Sequence, residues 1–373
     1  GDGDARSPEA GTTRRVSRPV RRLALAIPAL AVTAALATGC TSESWPDFSA
    51  ATATPSPTPS VTAPENQKPP AVTEAQATRI LQKISSTLEQ ADSGRDIDLA
   101  ATRIEGSVLD GRRTAYALGA KIADYAAPAA IPTDKIEVLL PEATERWPRT
   151  VLMLTKSSGD DKVPPAIFTM SQADPWSDYR VTSMAEMQAS AELPKLAPRW
   201  LGTTLVPPDS TFLSVAPDEI ATAFSSLVDD GDKSEYSATF DDLTHQFAES
   251  VLASRQAVVQ GLADKGAAET SKVAFDMTPS DAEPISLATF DSGAVVSVSV
   301  IDVQTVTPTS SDAVIKFDNN PEAKALTGVA EASKGVKTTY GIQLFFAVPT
   351  QGSSEQVRLL GAHQDLLNIE VIK

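Results

Sequence analysis

The sequence predicts an α+β protein. A helical block precedes a block of strand-like runs, the same order recurs in the second half, and a hydrophobic fraction of 42% over 373 residues supplies a packed core. Aromatic residues make up only 5% of the chain, so that core rests on Ala, Val, Leu and Ile. The length admits two domains, taking roughly 150 residues for each as a guide.

The first helix is expected to begin after Thr73, where Thr73-Glu74-Ala75-Gln76 spells a capping box. In that motif the threonine hydroxyl and the glutamine side chain each accept from a backbone N–H that the first helical turn leaves free. Ile80, Leu81, Ile84 and Leu88 follow at helical spacing, and Asp92-Ser93-Gly94 stops the run. A second helix is expected over 97–108. Strands are expected over 136–140, 150–156, 166–172 and 179–184, the last two joined by the turn-forming Asp174-Pro175-Trp176-Ser177-Asp178.

In the second half, PDEIATAFSSLV over 217–228 reads as a helix with proline and acids in its first turn, as helix N-termini favour. Asp229-Asp230-Gly231-Asp232 ends it. A longer helix follows over 241–262, with Leu243, Phe247, Val251 and Leu252 on one side, and strand-like runs close the chain over 273–277, 285–290, 294–307, 339–348 and 357–372. Helix, Asp/Gly break, helix and antiparallel strands thus occur twice. This order resembles the cystatin-like or NTF2-like α+β roll. The resemblance implies two tandem rolls, helices packed on curved antiparallel sheets, over 72–200 and 201–373. Their boundary would fall in the proline-rich stretch near 193–208; one larger α+β domain is the alternative.

The N-terminal segment carries a different signal. Arg14 to Arg22 reads RRVSRPVRR, and the 15 residues LALAIPALAVTAALA that follow carry no charge. A basic region, an apolar region and small residues, in that order, form a secretory signal. As a helix the apolar run would span about 22 Å, short of a bilayer core of about 30 Å. Residue 1 is Gly, so residues upstream of it are expected. Ala37-Thr38-Gly39-Cys40 resembles a bacterial lipobox. That resemblance implies a signal peptide over 1–39 and a lipid anchor, diacylglyceryl with palmitate-type chains, on Cys40. A Ser/Thr/Pro-rich linker through residue 71 would be extended and unpacked, a stalk holding the domain off the membrane. The layout as a whole resembles uncharacterised actinobacterial surface lipoproteins that carry such a stalk and a domain of unknown function.

Charge narrows the partners. Residues 1–39 hold six Arg and three acids, which leaves 26 basic against 45 acidic residues in the remainder, a net of −19. Such a surface repels phosphate backbones, and basic patches with interleaved aromatics are absent, so nucleic acid is not expected as a partner. Cys40 is the single cysteine, which excludes an intramolecular disulfide and a Cys-based zinc site.

Chemistry is sparsely encoded. There is no G-x-S-x-G elbow, no S-x-x-K, no Walker A loop and no H-E-x-x-H. His245, beside the apolar stripe of the long helix, and His363, in a hairpin turn or bulge of Gly361-Ala362-His363-Gln364-Asp365, read as ordinary surface or half-buried histidines. Asp229-Asp230-Gly231-Asp232 and Ser158-Gly159-Asp160-Asp161 offer oxygens that could meet calcium, but both sit where turn chemistry favours Asp and Gly. Trp147, Trp176 and Trp200 read as caps on the end of a core, or as partner hot spots.

The expected function is therefore a lipid-anchored extracytoplasmic module that binds an envelope protein or a small ligand without catalysis, with no cofactor and no metal. An enzyme acting on envelope material, marked by carboxylates converging on His245 or His363, is the alternative, as is an assembly factor of an envelope complex.

Overall fold

The computed structural model describes residues 67–373; the expected signal peptide, Cys40 and the linker through residue 66 lie outside the described residues. Helix α1 (Glu74–Gly94) starts as its capping box requires: Thr73 N donates to Gln76 Oε1 at 2.8 Å and Gln76 N donates to Thr73 Oγ1 at 3.2 Å. Its buried face is Ala77, Leu81, Ile84, Leu88 and Ala91.

The helix expected over 97–108 is not continuous. Instead α2 (Ile97–Ala100) stops after one turn, and α3 (Gly106–Gly119) begins anew beyond it. Between them the chain turns its backbone outward to a strand: Val181 N donates to Arg103 O at 2.8 Å and Glu105 N donates to Val181 O at 3.0 Å. Gly106 has φ +60, a left-handed conformation that breaks a helix and that glycine adopts without steric cost. Local propensity favoured helix here, and a strand partner distant in sequence prevailed.

Four strands follow, β1 (Lys135–Pro141), β2 (Arg149–Lys156), β3 (Ala166–Gln172) and β4 (Arg180–Met187), each antiparallel to the one before. Next comes α4 (Pro217–Asp230), with Pro217 in its first turn beside Asp218 and Glu219. Helix α5 (Asp242–Asp264) is capped by Asp241, whose Oδ1 accepts from Thr244 N at 3.0 Å. The strands after it are β5 (Ser271–Pro279), β6 (Ile285–Ala288) and β7 (Ala294–Pro308). A two-stranded ribbon, β8 (Ile315–Lys316) with β9 (Glu331–Ala332), flanks the short α6 (Pro321–Thr327). Strands β10 (Val336–Val348) and β11 (Arg358–Val371) close the chain.

The principal sheet runs β1-β2-β3-β4-β11-β10-β7-β5, with β6 also on β7. It consists of two antiparallel meanders, one from each half, that meet at their last strands. The seam is narrow: only Gly361 with Met187 and Ala362 with Glu186 pair β11 to β4. The stretch near 193–208 does not hang free between two bodies. It is sewn to strands or their flanks in both halves, with Phe290 N donating to Lys195 O at 2.8 Å, Ala143 N to Thr203 O at 2.6 Å and Val206 N to Ser286 O at 2.8 Å. The described residues, 67–373, belong to one compact unit.

Alternation along the strands feeds separate cores. In β2, Val151 and Met153 pack with α1 and Val108 of α3, whereas Leu152 and Leu154 turn the other way. In β10, Ile342, Leu344 and Phe346 pack with Phe224 of α4 and Val251 of α5, whereas Phe345 and Ala347 join Leu152, Leu154 and Ile167 from the first half. That shared cluster fastens the two meanders together through apolar contact. The architecture is α+β with an antiparallel sheet; the likeness to cystatin-like or NTF2-like rolls rests on element order.

Candidate functional site at the seam

The seam is where the sheet opens. Beyond its two paired residues β4 parts from β11, and Met184 N donates not to a strand carbonyl but to the Gln343 side chain, Oε1, at 2.9 Å. A cleft of about 270 Å³ lies there, bounded by α3, the segment 125–129 and the strands carrying Glu186, Gln343 and His363.

His363 lies within β11, directly opposite Gln343 of β10, and not in the turn or bulge expected from its local sequence. The two irregularities of that pair fall elsewhere, between Thr339 and Tyr340 and between Phe345 and Phe346. Its Nδ1 lies 2.8 Å from Glu186 Oε2 and its Nε2 3.0 Å from Asp365 Oδ1. Carboxylates only accept, so both ring nitrogens donate and the ring is an imidazolium. Burial alone would favour the neutral ring, but the hydrogen bonds and charges of Asp365 and Glu186 outweigh it and push the histidine up to about 10. Burial likewise opposes ionisation of Glu186, yet the His363 bond and charge hold its carboxyl below the usual range.

The cluster crosses the seam, since Glu186 belongs to β4 and the other two residues to β11. Glycine makes room for it: a Cβ on Gly111 of α3 would overlap the Asp365 carboxylate. Arg112, on the next position of α3, is turned to α1 instead, with Nε and Nη2 each 2.7 Å from an Asp92 oxygen, while Tyr116 Oη donates to Asp92 Oδ1 at 2.5 Å. Burial and then that bond raise the Tyr116 hydroxyl well above its ordinary range.

The other residues singled out in the sequence stand apart. His245 sits in the first turn of α5, its Nε2 directed to Ser237 O at 2.8 Å. Asp229 is exposed and accepts from Arg255 Nη1 at 2.9 Å and Met277 N at 3.1 Å, and Asp160 accepts from Lys162 N at 2.9 Å within its own turn. Among the described residues no group of three or more His, Cys, Asp and Glu is placed to hold a metal ion. The tryptophans do not cap a core: Trp176 is 89% and Trp200 69% exposed, and Trp147 is a surface residue carrying the Arg149 guanidinium on its ring at 3.8 Å. Leu252, expected on the apolar side of α5, is also exposed; Thr244, Ala248, Val251 and Arg255 form its buried face.

Glu186 and Arg112 escape sequence reasoning because their partners are 177 and 20 residues away and no local pattern links them. Asp365 was within reach, since it lies two positions after His363 and the two share one side of an extended strand.

Residues 68–370 match the family model described as Domain of unknown function (DUF8094). The chain belongs to the DUF8094 family. No curated protein and no solved structure matches it.

Proposed function

We propose that this DUF8094 protein is a lipid-anchored module on the extracytoplasmic face of the cell membrane, and that it binds an envelope protein or small ligand without transforming it. The non-catalytic part of the reading is supported by one observation, the commitment of both His363 nitrogens to carboxylates. A general base needs a free lone pair near its operating pH, and this ring has none until about pH 10. The cluster acts as a charged clasp across the seam, and the cleft beside it offers a recess for a ligand. The anchoring part is supported by the order of basic region, apolar region and Ala37-Thr38-Gly39-Cys40.

Two measurements test the reading. The membrane-extracted protein should carry a diacylglyceryl mass on Cys40, and Cys40→Ser should release the protein from the membrane; an unmodified thiol in the mature protein would defeat the anchor. The 15N shifts of His363 should keep the imidazolium pattern from pH 6 to pH 8. A neutral ring at pH 7 would restore a base to the cleft and with it the reading as an enzyme of envelope material.

A further inference from the structure

A second recess, of about 300 Å³, lies beside Ala71 and Val72, where the chain enters the fold, and its chemistry is opposite to that of the protein as a whole. The chain carries a net charge of −16, yet Arg79, Arg103 and Arg149 all line this recess, and among the described residues Asp178 is the one carboxylate of its lining. Arg79 projects from the second turn of α1 and is exposed. Arg103 is buried, held at the break between α2 and α3 by the backbone pairing with Val181, and touches Asp178 at 3.3 Å. Arg149, at the head of β2, makes no ion pair among the described residues; its guanidinium lies on Trp147.

Two buried donors here have no acceptor among the described residues. Tyr179 is only 6% exposed and its hydroxyl is unpartnered, and the same holds for Arg149 Nε. Buried polar groups in folded proteins are nearly always bonded, so an orphaned pair in one recess points to a missing acceptor. A carboxylate presents two oxygens in one plane. Arginines from a helix, a loop and a strand line this recess together with a tyrosine, a donor set that suits an oxyanion with several acceptor oxygens.

We propose that the recess of Arg79, Arg103, Arg149 and Tyr179 binds a phosphate group, carried either by a soluble phosphate compound or by a phospholipid headgroup. The site is separate from the seam cleft and does not require the anchor on Cys40. Exposed aromatics stand close by: Trp147 lies against Arg149, and Trp176 adjoins Ser177 and Asp178 of the lining.

The test uses the full chain carrying Cys40→Ser, so that no acyl chain contributes. Inorganic phosphate is titrated while tryptophan fluorescence is followed, because an oxyanion drawing on Arg149 changes the environment of Trp147. In a second arm the protein is co-sedimented with phosphatidylglycerol vesicles. Arg149→Gln and Arg79→Gln should each weaken binding by roughly tenfold, and Tyr179→Phe by a similar or smaller factor. Arg79 is exposed and the Tyr179 hydroxyl bonds nothing, so these two variants keep the fold, which thermal unfolding checks. Saturable phosphate binding lost in the variants supports the site with a soluble ligand. Binding confined to the vesicles and lost in the variants supports it with a headgroup. Absence of binding in both arms, or binding that all three variants leave unchanged, overturns it.

Discussion

The two halves of the molecule each bury an arginine on their second long helix, and they wire it differently. In the first half Arg112 of α3 joins Asp92 of α1, so the tie runs from helix to helix. In the second half Arg255 of α5 reaches Asp229 of α4 at 2.9 Å and Asp302 of β7 at 2.6 Å, so helix, helix and sheet are joined at one guanidinium. Both helix aspartates come from the Asp/Gly stops that the sequence displays. Helix α3 packs Val108 on its own meander, but its side-chain hydrogen bonds to the sheet go to the other half: Thr114 Oγ1 donates to Leu367 O at 2.6 Å, and Ser107 Oγ lies 3.2 Å from Ser299 Oγ. Equivalent helices thus have unequal duties. Helix α5 fixes its own meander, whereas α3 also ties across the seam, and the two halves share one sheet.

The largest effect should come from Arg255→Ala. Asp302 is 2% exposed and would be left as a buried charge without a partner, a loss of about 3–5 kcal/mol. Arg112→Ala should cost less, about 2 kcal/mol, because Asp92 keeps the Tyr116 hydroxyl as a donor. Urea unfolding measures both, and equal losses would remove the asymmetry between the halves.

The seam predicts a pH dependence. His363 has its pKa raised from 6.5 to about 10 on folding, so its contribution is complete below pH 6.5 and declines as pH rises toward 10, where the folded ring also loses its proton. Stability should fall across that window by an amount on the order of a few kcal/mol. His363→Gln should flatten the profile, which denaturant midpoints at pH 6, 8 and 10 report; a variant with the same slope would place the titration elsewhere.

Glycine substitutions in the two helices should have opposite signs. Gly111→Ala drives a methyl into Asp365 and should destabilise by about 1–3 kcal/mol. Gly261→Ala, in α5 with open space around it, should stabilise by up to about 1 kcal/mol through helix propensity. Thermal unfolding of the pair separates crowding at the seam from propensity alone.

The smallest change tests the helix starts. Thr73→Ala removes the hydroxyl of the α1 capping box and should cost about 1 kcal/mol. Asp241→Ala should cost more, since the same Oδ1 also accepts from Leu359 N at 3.2 Å on β11. Equal losses, again by urea unfolding, would mean that the Leu359 bond adds nothing.

Much of the secondary structure was legible because it depends on residues close in sequence. The capping box at Thr73, the proline in the first turn of α4 and the strand-like runs of β2 and β7 each act over a few positions. The expected helix over 97–108 failed where Arg103 and Glu105 pair with Val181, and the expected turn at His363 failed because Gln343 and Glu186 hold it in a strand. The core-cap reading of the tryptophans failed for a related reason: a lone Trp beside Pro or Arg does not show which way its ring will face.

The sequence by itself determined the α+β class, the two blocks of helices and strands, the acidic charge and the absence of familiar nucleophile motifs, since these are properties of composition and short-range pattern. Only the tertiary structure decided that the two meanders share one sheet. It alone brought Glu186 to His363 and placed three arginines and a buried tyrosine in the lining of one recess. Those contacts join residues tens to hundreds of positions apart, and no local energy term records them until the sheet has closed.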